Sequence, residues 1–123
     1  MDNDVIKSLA DDTDGLLTYE YIANHIDKIQ PVVDQLVEHM KLVDRTGQFL
    51  VSAARYLNAI NAEKYASQIS TLIAAAIEKD REHRYLPDLL TIWGTDYEAD
   101  AERLSASDDN FRRIYKRLYP TKF

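Results

Sequence analysis

Hydrophobic positions along this chain recur with a helical period almost from end to end. No stretch alternates apolar and polar residues with β-branched enrichment, so the pattern predicts an all-α protein. The clearest signal lies in residues 18–60. Apolar or small residues recur there at alternating steps of three and four: Tyr19, Ile22, Ile26, Ile29, Val33, Leu36, Met40, Val43, Gly47, Leu50, Ala54 and Leu57. Such a seven-residue repeat sets a seam along one side of a helix or of collinear helices. Val32, Val37, Phe49, Ala53 and Ile60 widen the seam into a face suited to a bundle core.

Two breakers interrupt this segment. Pro31 lacks an N–H and clashes with the preceding turn, and Asp44-Arg45-Thr46-Gly47 is a weak point because glycine is a poor helix former. The seam keeps its phase through both, which predicts a long kinked helix over 18–60, with a chain reversal at 44–47 as the alternative. A continuous rod would be roughly 60 Å long at about 1.5 Å per residue. That is too long for a compact monomer of 123 residues, so the rod predicts self-association, as a dimer first. Ile22, Ile26, Ile29, Val33, Leu36, Met40, Val43, Leu50 and Leu57 are therefore candidates for a core or self-association seam.

Shorter signals flank it. Residues 1–15 read as a short helix or a loosely ordered arm ending in the turn Asp11-Asp12-Thr13-Asp14-Gly15, with Thr18 as the next helix cap. Asn61 is a good N-cap for a helix from Ala62 to about Tyr85, on which Asp80 and Arg84 have ion-pair spacing. Pro87 opens a short helix closed by Gly94. Thr95 with Glu98 forms a capping-box pattern for a helix to about Ala106. Ser107 caps the last helix, and Pro120 ends it. The sum is an irregular bundle of five to seven helices in a single domain, 1–123. No internal repeat stands out: Arg-Tyr-Leu occurs at 55–57 and 84–86, but its flanks do not follow.

Composition narrows the chemistry. Hydrophobic residues make up 46 % and charged residues 29 %, as in an ordinary globular domain. There is no cysteine, which excludes disulfide scaffolds, cysteine-ligated metals and thiol nucleophiles. The acidic start Met1-Asp2-Asn3-Asp4 lacks the basic and apolar parts of a signal peptide. The apolar run Leu72–Ile77 is far short of the roughly 20 residues that span a bilayer. A cytoplasmic protein with no membrane partner is expected.

The net charge of −6 argues against a dedicated nucleic-acid binder. It is unevenly spread: residues 1–20 hold six acids and one lysine, and residues 108–123 hold five bases and two acids. Arg112, Arg113, Lys116 and Arg117, interleaved with aromatics and extended by Lys122 and Phe123, carry the alternative function of an anion- or nucleic-acid-binding accessory protein. The plainer reading is an amphipathic helix with cations favourably near its C-terminus.

Catalytic and metal motifs are sparse. Asp80 with His83, and Asp34 with Glu38 and His39, approach metal-ligand spacing, but neither set contains Glu-x-x-His, and Glu38 and His39 point in different directions. His25 reads as a rim residue. There is no Gly-x-Ser-x-Gly elbow, and the scattered glycines at 15, 47 and 94 form no phosphate cradle. No enzyme activity, metal or cofactor is expected. Eight tyrosines and one tryptophan are many for this length, and Tyr85, Trp93, Tyr97, Tyr115 and Tyr119 are candidates for a partner surface. The expected function is a protein–protein interaction or structural module that self-associates, with an unidentified protein partner.

Overall fold

The computed structural model describes residues 3–120, so Lys122 and Phe123 of the basic segment lie outside the described residues. The chain is an all-α bundle: α1 (Asn3–Ser8), α2 (Leu16–Asn24), α3 (Val33–Val43), α4 (Gln48–Asn61), α5 (Ala66–Lys79), a 3-10 helix (Leu86–Trp93), α6 (Ala101–Ser107) and α7 (Asp109–Leu118). No strand occurs among the described residues.

The segment 18–60 is helical, but it folds back twice. Gly15, before α2, lies against Asp44, after α3, so these two helices are antiparallel. The Tyr56 hydroxyl of α4 donates to the Ala23 carbonyl of α2 at 3.3 Å, which makes those two parallel. The chain therefore reverses at 44–47, as the alternative to a kinked rod had it, and also at 25–32, where only a kink at Pro31 was expected. The seam persists through the reversals because the turns contribute to it. Ile29 and Val32 are buried although no helix holds them.

The later contacts extend this order. Gln68 at the start of α5 donates to Asp34 at the start of α3 at 2.8 Å, and Lys79 at the end of α5 donates to the Asp44 carbonyl at 2.6 Å. These two helices run parallel. Asn110 of α7 reaches Ser70, and Arg117 of α7 reaches the Ile77 carbonyl, so α7 runs with α5. The 3-10 helix ends with Ile92 and Trp93 near Asn58 and Ala62 at the end of α4, which sets it alongside that helix. The result is two layers, one of α2, α4 and the 3-10 helix, the other of α3, α5 and α7. Three helical pairs stack in sequence order, each touching its neighbours, and the first and third do not pack on each other among the described residues. Helical-repeat proteins are organised in the same quasi-one-dimensional way.

A buried aspartate opens each pair. Asp12 accepts from the backbone N–H groups of Asp14, Gly15 and Thr18 and from the Thr18 hydroxyl at 2.5 Å. Asp44 accepts from the N–H groups of Thr46, Gly47, Phe49 and Leu50. Asp80 accepts from those of Arg84, Tyr85 and Leu86. In every case the second carboxylate oxygen takes the N–H six residues on. Each carboxylate thus satisfies orphan donors at the start of the next helix, in a place too buried for water to do so. Several sequence expectations change accordingly. Thr18 is not a cap but a buried donor to Asp12. Asp80 is not an ion-pair partner of the Arg84 side chain; it ends α5 six residues before the expected Tyr85. Asn61 accepts from the Lys64 N–H within a turn, and α5 starts only at Ala66. Thr95 to Asp100 form turns, so α6 begins later than the capping box implied. Asp108 rather than Ser107 caps α7, accepting from the Phe111 N–H.

The three loops stack on one another through glycine. A Cβ on Gly15 would stand 3.2 Å from the Asp44 Cβ, and one on Gly47 would stand 3.2 Å from the Asp80 Cβ. Both glycines also hold positive φ, +104° and +93°. The third loop has His83 at the same offset from its aspartate, with φ 58°. There the residue carries a side chain, at the cost of left-handed backbone.

Two outcomes follow from these loops. Asp44→Ala strands four backbone donors and is expected to lower unfolding free energy by at least about 2 kcal/mol, measured by urea denaturation. Burial pushes the Asp12 carboxyl up, but its hydrogen bonds from Thr18, Gly15 and Asp14 outweigh that and hold it below the ordinary carboxylate value of 3.8. Its contribution to stability is full above that value and is lost as pH falls through the lowered folded value. The urea midpoint should fall in that acid range, and Asp12→Asn should flatten this part of the profile.

Candidate functional site

Most residues singled out in the sequence serve the core. Ile22, Ile29, Val33, Leu36, Met40, Leu50 and Leu57 are buried within the one chain, and Ile26 and Val43 are half-buried. The seam is satisfied internally, between the layers, and needs no second copy to cover it.

The aromatic candidates separate into two groups. Phe111, fully buried on α7, gathers the first. Trp93 meets it edge-on at 5.3 Å, Tyr97 packs at 6.4 Å, and Tyr115 stacks at 5.3 Å; Tyr119 in turn leans on Tyr115 at 4.8 Å. The Trp93 indole N–H donates to Asp108 at 2.8 Å, so the cap of α7 also ties down the 3-10 helix. Burial, with further contributions from Tyr119, Glu98 and Tyr115, pushes the Tyr97 hydroxyl above its ordinary value of 10. This cluster attaches α7 to the stack. Tyr85 stands apart, half-buried beside the third aspartate loop.

The basic residues of α7 share its outer side, where the chain itself engages two of them. Arg112 pairs with Asp109, and Arg117 donates to the Ile77 carbonyl. Lys116 is exposed, and Arg113 is half-buried. The histidines are dispersed. His25 bonds the Tyr21 carbonyl at 3.0 Å and stacks on the Tyr21 ring at 4.2 Å, and His39 bonds the Leu9 carbonyl at 3.1 Å. Among the described residues no three histidine, aspartate or glutamate side chains are grouped to hold a metal ion. No described helix is long and apolar enough to cross a membrane.

Two surfaces remain that the packing does not explain. The first is apolar. Leu42 is 80 % exposed, and Leu16 and Leu17 are 42 % and 41 % exposed. All three lie within two residues of the contact between Gly15 and Asp44, at one end of the first helical pair. None of the three belongs to the apolar repeat or to the positions that widen it. The second is polar. Arg45, Thr46, Lys79, Arg81, Glu82, Arg84 and Tyr85 surround a pocket of about 340 Å³ over Asp80, between the second and third aspartate loops. Its arginines come from two loops 36 residues apart by their aspartates, which no local motif could reveal.

Phe111→Ala should lower stability by about 3–5 kcal/mol through the cavity it leaves. Trp93 is the only tryptophan, so its fluorescence on urea titration reads the loss where it occurs. No protein-family model, curated protein or solved structure matches the chain.

Proposed function

We propose that this protein is an interaction module that self-associates through the end of its first helical pair. The observation that carries this reading is the exposure of Leu42, Leu16 and Leu17 together at the first pair of the stack. Stacked helical pairs bury their faces against neighbours, and the outermost ones need a polar outer face or a partner. Among the described residues, α1 and the turn after it pack on this outermost pair at α3, and three leucines stay exposed. Docking this patch against the same patch of a second copy buries leucine against leucine and closes the assembly with two-fold symmetry.

This differs from assembly through the seam, which is core. The alternative of anion binding through α7 has less support, since two of its four cations already have partners within the chain.

Light scattering on the eluting peak of a sizing column tests the proposal. The natural chain should run as a dimer, with a mass twice 14.2 kDa. Leu42→Asp should give a monomer with unchanged helical circular dichroism, because the side chain lies in water in the isolated chain. A natural chain that is monomeric at high micromolar concentration would sink the reading.

A further inference from the structure

The geometry points to a small-molecule phosphate site in the pocket between the second and third aspartate loops, with Arg45 and Arg81 as its principal ligands. The pocket lies at the later end of the stack, bordered by its second and third loops. Gly15 is covered by the second loop and Gly47 by the third, and the pocket opens beside these last two loops. Four cations, Arg45, Lys79, Arg81 and Arg84, border it against two carboxylates, in a chain whose net charge is −6.

The carboxylates are already committed. Asp80 is buried and spends both oxygens on the N–H groups of Arg84, Tyr85 and Leu86. Glu82 accepts from Arg84 Nε at 3.0 Å. Lys79 is turned inward to the carbonyls of Lys41 and Asp44, where it closes the end of α3. Arg45 and Arg81 are left with no ion pair among the described residues, one on each wall. Guanidinium groups match phosphate in shape and charge, each offering two parallel N–H donors. Thr46 adds a hydroxyl, and Tyr85 supplies an aromatic wall.

The third loop is also the one that departs from the other two. It gives up the glycine for His83 in left-handed backbone, and its aspartate takes the N–H of residue 84 where the others take that of their glycine. Arg81 and Arg84 flank that turn. The volume of about 340 Å³ is at the lower end for a small-molecule site. It suits a phosphate group with a small organic part, not a polymer backbone.

Isothermal titration of the full chain at low salt tests this with two probes, inorganic phosphate and phenyl phosphate. Saturable binding of one anion per chain is expected, weakened at least tenfold in the Arg45→Ala/Arg81→Ala double variant. The variant replaces two exposed side chains, and its circular dichroism should match that of the natural protein. Tighter binding of phenyl phosphate than of phosphate identifies an organic monoester resting on Tyr85; equal binding identifies the free anion. A quadruple variant with Arg112, Arg113, Lys116 and Arg117 all changed to alanine should bind as the natural chain does. Absence of saturable binding, binding that survives the double variant, or binding lost only in the quadruple variant overturns the assignment. The leucine patch plays no part in it, so a monomeric Leu42→Asp protein should bind the same probes equally well.

Discussion

The stack depends on the close approach of one loop's glycine to the next loop's aspartate. Asp44 and Asp80 each carry the preceding loop directly on their Cβ, and their buried carboxylates satisfy the start of the following helix. Any side chain on Gly15 or Gly47 would wedge the loops apart as well as resist positive φ. Charge, hydrogen bonding and chain direction meet in that contact. An unsolvated carboxylate with three or four donors holds the turn, the turn reverses the chain, and reversal brings alternate helices into the same layer.

This mechanism explains which parts of the fold were legible in the sequence. Helices announced by short-range chemistry were readable: Pro87 and Gly94 around the 3-10 helix, and the amphipathic pattern of α7. The reversals were not, because buried Ile29 and Val32 carry the apolar rhythm through a turn. A seven-residue spacing reports which side is inward and is silent on whether the chain goes on or turns back. The repeat itself was present as Asp12 with Gly15 and Asp44 with Gly47, but the third copy lacks the glycine and hides the series. The more visible echo of Arg-Tyr-Leu misleads, since Leu57 lies inside α4 whereas Leu86 starts the 3-10 helix.

The candidate surfaces were harder to foresee than the core. Tyrosines and basic residues draw attention in a sequence, yet here four of the five aromatic candidates fasten α7 to the stack, and two of its cations are tied to it or to the chain beneath. The exposed groups are ordinary ones, three leucines and a few loop arginines, whose exposure depends on where the stack of loops begins and ends. Position in a series is a tertiary property that no window of neighbouring residues contains.

The nearest-neighbour packing has a consequence for how the molecule comes apart. The outer pairs meet only through α4 and α5, among the described residues. The middle pair therefore acts as the keystone of folding cooperativity. Fraying at either end can proceed while the remainder stays assembled, whereas melting the centre releases both ends at once. Opening should accordingly be graded along the chain, with amide protons of α4 and α5 the slowest to exchange.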